Sequence, residues 1–328
     1  MPQKIQWGIL STGAIAHKFA TGLSFLSDAE LVAVGSRNAK RANEFADSFD
    51  IPKRHASYES LVADPSVDII YVATPHSFHH ENTQLCLQSR KAVICEKPFA
   101  INANQATRMI EFAQAENLFL MEAMWTRYLP LMVELRTMLA EDLIGEVRML
   151  TADFGFRAEL NPEGRLFTPK LGGGALLDVG VYIVSLSSMV FGPPTQIVSL
   201  AHLGETEVDE QAGIVLGHSH GQLAILHTAI RTDTPQETII MGTQGKIRIH
   251  SPWWIPNKMT VELSGKPAKT IEIPYEGNGY HYEASEAMDC LRSNKLESDI
   301  MPLSETVSIM QTLDQIRDQW GLKYPAEK

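Results

Sequence analysis

Five short apolar runs separated by amphipathic stretches constrain the first part of this 328-residue chain more than any other feature. They lie at 5–10, 31–35, 69–73, 92–95 and 118–121. Helical spacing fills the intervals: Ala14 to about Leu23, then Ala42, Phe45, Ala46 and Phe49, then Leu61 and Val62 behind a capping Ser57. Leu85 and Leu87 follow, and then Met109, Ile110 and Ala113 behind a capping Asn102. Strands that alternate with helices in this way are βαβ units, which build a parallel, doubly wound α/β sheet.

After about Glu122 the rhythm changes. Helical patterns at 129–139 and 175–190 are joined by strand-like runs at 147–156, 197–202, 212–216, 222–230, 238–241, 247–250, 259–263 and 270–273. Many of these adjoin turn signals such as Thr243-Gln244-Gly245 and Ser264-Gly265-Lys266, which marks an open, mostly antiparallel sheet. Helices at 280–291 and 304–320 close the chain. The expected organisation is a dinucleotide-binding Rossmann domain over 1–122 and an α+β domain for substrate over 123–328. Two domains also suit a chain longer than one core usually fills.

Composition excludes some partners. A formal charge of -11 argues against nucleic acid and anionic membrane, which both need basic patches. No apolar run is expected to reach the ~18 residues of a membrane span. The first residues lead into a strand without a signal-peptide pattern. The three cysteines, Cys86, Cys95 and Cys290, are odd in number, lie in apolar surroundings and have no framework spacing. Reduced, buried thiols in a cytoplasmic protein are expected.

Three stretches carry chemistry. Gly8-Ile9-Leu10-Ser11-Thr12-Gly13-Ala14-Ile15-Ala16 leaves a strand and opens a helix, the setting of a dinucleotide turn in which helix N–H groups meet a pyrophosphate. Ser11 stands where the first glycine of that pattern belongs, so Ser11, Thr12, Gly13, Ala14 and Ile15 are cofactor candidates. Where an NAD site offers an acid to the ribose, this chain has Ser36-Arg37, with Lys40 and Arg41 close behind. A hydroxyl with cations suits a 2′-phosphate, so NADP is expected rather than NAD.

Glu96-Lys97-Pro98 ends a buried strand, because proline cannot donate to a sheet ladder. Lys97 therefore sits at the carboxyl edge, where such sheets bind ligands. Further on, Gly172-Gly173-Gly174 leads into a helix with Asp178 and Tyr182 four residues apart, on one helical face. Oxidising a carbinol requires hydride to leave carbon and a proton to leave oxygen. A tyrosine, with pKa near ~10 when unperturbed, can take the proton if an ammonium such as Lys97 lowers that value. Asp178 would hold the lysine, orient the substrate, or simply cap its helix.

These stretches, with Ala73-Thr74-Pro75, together resemble the glucose-fructose oxidoreductase / inositol dehydrogenase (Gfo/Idh/MocA) family over most of the chain. Trp125-Thr126-Arg127-Tyr128, Tyr182 and Gly279-Tyr280-His281-Tyr282-Glu283 resemble its dimeric dihydrodiol dehydrogenase and NADP-linked xylose dehydrogenase branch. The resemblance implies catalytic roles for Lys97 and Tyr182, with Asp178 beside them. It also implies cofactor roles for Thr74, Pro75, His79, Glu96 and Lys97, and a homodimer formed through the C-terminal sheet. Inositol-dehydrogenase-like members carry His where Tyr182 stands, which leaves open whether Lys97 or Tyr182 moves the proton.

Trp125 and Arg127, at the expected domain junction, are candidates for the cofactor and for a substrate wall with Phe154 and His281. Such a wall suits an aldose going to a lactone or a trans-dihydrodiol going towards a catechol. The expected activity is NADP-dependent oxidation of a secondary or hemiacetal hydroxyl on a cyclic polyol. The alternatives are a non-catalytic NADP-sensing regulator and a carbonyl or ketose reductase. His76, His79 and His80 share a loop without a completing ligand set, so no metal is expected. Tyr324 and Lys328 have the Y-x-x-x-K spacing of short-chain dehydrogenases, but at a terminus expected to fray.

Overall fold

The computed structural model describes residues 4–327, which form two compact units. The first is built on strands β1 (Ile5–Leu10), β2 (Ala29–Gly35), β3 (Lys53–His55), β4 (Ile69–Val72), β5 (Ala92–Glu96) and β6 (Leu120–Ala123). Helices α1 (Ala14–Leu23), α2 (Ala39–Ser48), α3 (Tyr58–Val62), α4 (His79–Gln88) and α5 (Ala103–Ala115) alternate with them. All pairings are parallel, in the order β3-β2-β1-β4-β5-β6. The expected Rossmann sheet is present. Only β3 escapes the periodicity, because Lys53-Arg54-His55 is a polar strand at the sheet edge.

The core of this unit is an aromatic stack. Phe19 of α1 lies parallel to Tyr71 of β4 at 3.6 Å between ring centroids, and Trp7 of β1 tilts against Phe19 at 5.3 Å. Each such ring, fully buried, contributes roughly 2–3 kcal/mol. Ser57 and Asn102 cap α3 and α5 as expected, each accepting a backbone N–H of the first turn. The three thiols are free and buried.

The second unit contains α6 (Pro130–Ala140), β7 (Val147–Gly155), α7 (Val181–Phe191) and β8 (Gln196–Leu203) to β14 (Lys269–Glu272). Between these come β9 (Asp209–Gly217), β10 (Leu223–Ala229), β11 (Thr238–Gly242), β12 (Gly245–Ile249) and β13 (Lys258–Leu263). The strand order is β14-β13-β12-β11-β7-β10-β9-β8. It is antiparallel except for β7 and β10, which pair in parallel across the long crossover between them. One face of β9 and β10 buries Ile214, Leu216, Ala224 and Leu226. The other face exposes Val215, Leu223 and Ile225, continued on β8 by Val198 and Leu200.

Two expectations need correcting. Among the described residues one helical stretch, Pro169–Phe191, is long and apolar enough to cross a membrane, with a mean hydropathy of 1.7. The glycine turn and Asp178 interrupt it and hide its length in the sequence. Most of it is buried in the unit, as a core helix is. The terminus also does not fray: Tyr324 is buried and donates to the Gly173 carbonyl at 2.7 Å. Lys328 lies outside the described residues.

The last helices are α8 (Tyr280–Arg292) and α9 (Leu303–Trp320). The first unit runs to Trp125 and takes in Glu276–Val307, whereas the sequence division assigns everything from 123 onward to the second. The reason is that α8 packs on α1. Gly22 leaves the space, since a Cβ there would stand 2.9 Å from that of Tyr280. Asn278 donates to the Lys18 carbonyl, and Arg292 pairs with Asp28 at 2.7 Å.

Candidate active site

In the first unit the strand order turns back at β1 and β4, and ligands of such sheets bind beyond the carboxyl ends at this switch. Ser11, Thr12, Gly13, Ala14 and Ile15 follow β1 there. Ser11 holds φ at 96°, a left-handed value that explains why the pattern favours glycine at its position. Gly13 is the N-cap of α1, no side chain caps the helix, and its first turn has no acidic residue. No described atom lies within 4 Å of a Cβ built on Gly13. The free N–H groups and open approach fit a pyrophosphate.

Ser36 and Arg37 follow β2. The Ser36 hydroxyl accepts from the Asn38 N–H, and the Asn38 side chain accepts from the Arg41 N–H, capping α2. Arg41 is exposed in the first turn of α2. Arg37 is exposed too, but its guanidinium lies 5.3 Å from the Phe78 ring centre and 5.9 Å from that of Tyr58. Sequence reasoning missed both aromatics, which come from other βα connections and have no spacing relation to Arg37.

Beyond β4 and β5 the two connections are tied together. The ring nitrogens of buried His79 lie 2.8 Å from the Thr74 carbonyl and 2.7 Å from the Pro98 carbonyl. The Thr74 hydroxyl accepts from Asn82, and Pro75 leads into the turn that carries Phe78. Lys97 follows directly on buried Glu96, which accepts a hydrogen bond from Tyr71. Glu283 of α8 is buried nearby. Its carboxyl is pushed well above the usual range by burial, with the charge of Glu96 adding to the effect.

The remaining candidates divide between the units. Trp125 is buried in the first unit and stacks on Tyr280 at 4.4 Å. His281 also belongs to the first unit but packs on Phe25 at 5.4 Å, just past the end of α1 away from Gly13. A ten-residue helix spans roughly 15 Å, so the structure does not bring His281 to the turn residues.

In the second unit Tyr182 meets Phe154 at 5.4 Å, and Phe154 stacks on Trp254 at 4.9 Å. Asp178 and Tyr182 are not on one regular α-helix. Residues Leu176–Gly180 form a π-helical turn ahead of α7, a local widening that recurs at functional sites. Asp178 pairs with Arg165 at 2.7 Å, a partner from an irregular stretch that no sequence pattern singles out. Arg127 is buried and donates to the Ser185 hydroxyl and carbonyl at 3.1 and 2.8 Å, pinning α7 one turn beyond Tyr182. Among the described residues no group of three or more His, Cys, Asp or Glu side chains is arranged to hold a metal.

A parallel sheet whose first helix start is uncapped and open is the architecture of a dinucleotide-binding domain. The family model of Gfo/Idh/MocA oxidoreductases with an NAD-binding Rossmann fold matches residues 5–124, and the C-terminal domain model of the same family matches 132–248. The chain belongs to the Gfo/Idh/MocA family. It is 40% identical over 332 residues to a trans-1,2-dihydrobenzene-1,2-diol dehydrogenase of Xenopus laevis, covering 98% of this chain and 99% of the relative. The human protein of the same name is 37% identical, with 99% of each chain covered. Among solved structures, aldose-aldose oxidoreductase from Caulobacter crescentus, complexed with glycerol, shares the fold at a TM-score of 0.88 and 21% identity. That match covers 98% of this chain and 99% of the other. A 3-ketoreductase from Actinomadura kijaniata, in complex with NADP and TDP-benzene, matches at 0.86 and 23%, covering 96% and 98%.

Proposed function

We propose that this oxidoreductase uses NADP to oxidise a hydroxyl of a cyclic diol, a trans-dihydrodiol in the first instance and an aldose hemiacetal in the second. The observation that carries this is the aromatic group around Tyr182, formed by Phe154 and Trp254, in a chain whose full-length relatives are named as dihydrodiol dehydrogenases. Flat apolar walls beside a phenol suit an unsaturated ring that bears hydroxyl groups. Arg37 and Arg41 at the end of β2, with no carboxylate among 35–41, favour NADP over NAD.

When bound, the nicotinamide supplies the hydride acceptor. Ser11 to Ile15 would hold its pyrophosphate, Arg37 and Arg41 its 2′-phosphate, and Thr74, Pro75, His79 and Glu96 the edge beside Lys97. Tyr182 takes the hydroxyl proton, and Lys97 is the cation at the cofactor edge. Asp178, paired with Arg165, orients Tyr182 and the substrate. Phe154 is the wall beside Tyr182, Trp125 is the candidate wall of the first unit, and Arg127 holds α7 in place.

Tyr182→Phe is expected to lower kcat by at least about 100-fold while leaving NADPH affinity within about twofold. Turnover that survives nearly intact would refute the assignment. The exposed apolar stripe of Val198, Leu200, Val215, Leu223 and Ile225 supports a homodimer formed through this sheet, which the mass in solution tests. The buried free thiols suit a reducing compartment and a cytoplasmic location.

A further inference from the structure

Two adjacent tryptophans of the second unit are held in different ways. Trp253 is buried, and its indole donates to the Asp153 carbonyl at 2.6 Å, which makes it part of the core. Trp254 is only half-buried and lies parallel to Phe154, with 4.9 Å between ring centroids and 6° between the planes. Phe154 in turn meets the Tyr182 ring at 5.4 Å. A partly exposed side chain keeps its rotational freedom unless contacts at both ends remove it.

Two residues supply those contacts. The Thr126 hydroxyl donates to the Trp254 carbonyl at 2.7 Å. Gln236, on the connection between β10 and β11, takes the ring end. Its amide oxygen accepts the Trp254 indole N–H at 3.2 Å, and its amide nitrogen donates to the Gly155 carbonyl at 2.8 Å. The side chain therefore bridges Trp254 to the residue after Phe154 on β7. Its backbone is fastened too: the Gln236 N–H donates to the Asp153 carboxylate at 2.6 Å, and the Gln236 carbonyl accepts the Trp253 N–H at 3.0 Å. Gln236 holds φ at 55°, a left-handed value that a residue with a side chain adopts against its preference. Glycine would take that turn without strain, so the turn alone does not call for glutamine. The bridge to Trp254 does.

Resting on the dihydrodiol reading above, we infer that Gln236 is a positioning residue for substrate choice: its amide fixes the Trp254 ring parallel to Phe154, and the fixed pair favours a flat ring over a puckered one. A cyclohexadiene diol meets such a wall with its whole face and gains most when the wall does not tilt. An aldose ring is puckered and touches the same wall through fewer atoms, so it loses less when the indole is freed. Gln236 acts through Trp254, so it bears on KM rather than on the proton step at Tyr182.

The test is steady-state kinetics of the full-length protein with NADP, using a trans-dihydrobenzenediol and D-xylose as the two rings. Gln236→Met keeps the length of the side chain and removes both polar ends. It is expected to raise KM for the diol about fivefold, with kcat, KM for NADP and KM for xylose each within about twofold. In a Trp254→Phe background, which has no indole N–H, the same substitution should have no further effect on the diol, because the two side chains act as one unit. If Gln236→Met folds poorly, Gln236→Gly, which suits the left-handed backbone, must narrow the preference in the same sense. An unchanged KM for the diol overturns this inference alone, as does an equal rise for both rings or an undiminished effect in the Trp254→Phe background. A wild-type protein that leaves the diol unoxidised overturns the dihydrodiol reading and the inference with it.

Discussion

Two carboxyl groups, one in each unit, are buried to the same degree and are treated differently by their surroundings. Asp209 opens β9 and is inaccessible to solvent. One of its oxygens accepts the Leu176 N–H at 2.6 Å, so a residue 33 positions away satisfies the start of the helical stretch that carries Asp178 and Tyr182. Gly174, at φ 117°, makes the room, because a Cβ there would collide with this carboxylate. Burial pushes Asp209 up, and the backbone donors with the Arg317 charge hold it to about 7. Glu283 is equally buried, and neither of its carboxyl oxygens has a hydrogen-bond partner. With Glu96 adding a second negative charge, burial holds the Glu283 carboxyl well above the usual carboxylate range. Burial sets the cost of a charge, and donors decide how much of it is returned.

The comparison breaks most severely at the cation that serves Asp209. Arg317 of α9 is buried and donates to Asp314 at 2.6 Å and to Glu327 at 2.9 Å. Arg317→Met would take the guanidinium from both acids and remove a charge that lowers Asp209. A loss of about 3 kcal/mol is expected in urea unfolding. A loss below about 1 kcal/mol would mean that water already serves these acids.

Asp209→Asn comes next. The folded-state value of Asp209 lies above its unfolded value, so the stability tied to its proton is complete below about 4 and is lost as pH rises through about 7. The amide cannot ionise and still offers an oxygen to Leu176. The variant should therefore gain on the wild type between pH 4 and 7, by about 2 kcal/mol after allowing for relaxation, and hold a constant difference above pH 7. Parallel stability curves for the two proteins would contradict the shift.

What could be read from the chain follows the same division between local and distant causes. Alternating apolar runs fix the strands of both sheets except β3 to within a few residues, because the alternation and its turns are local. The turns after β1, β2 and β5, at Ser11-Thr12-Gly13, Ser36-Arg37 and Lys97-Pro98, are legible as strand ends for the same reason. Tyr58, Phe78, Arg165 and Asp209 are not, since each meets its partner across a fold that no spacing encodes. The π-helical turn at Leu176–Gly180 is hidden too, because i→i+5 bonding leaves the apolar pattern intact. The β7–β10 pairing depends on the crossover between those strands, and α8 joins the first unit through the surface it meets on α1.

Glu283→Gln gives the smallest effect at neutral pH and the sharpest contrast with Asp209. Three groups bear on this carboxyl and its network. Glu96 raises it directly, Tyr71 donates to Glu96, and Glu283 and Tyr280 both act on the Tyr71 phenol, itself held well above its usual value by burial first. Glutamine matches the neutral acid in shape, and its amide hydrogens can donate towards Glu96, a bond the unpartnered carboxyl does not make. Glu283 is raised in the folded state, so the stability linked to its proton declines as pH climbs above the ordinary glutamate value of 4.5. The variant should exceed the wild type by about 1 kcal/mol at pH 7, because Glu96 shares the burden of the pair. The gap should open as pH rises above that ordinary value, because the unfolded chain loses this proton first. Melting temperatures of both proteins from pH 5 to 9 would check this, and parallel curves over that range would mean that the Glu283 carboxyl is not raised in the folded protein.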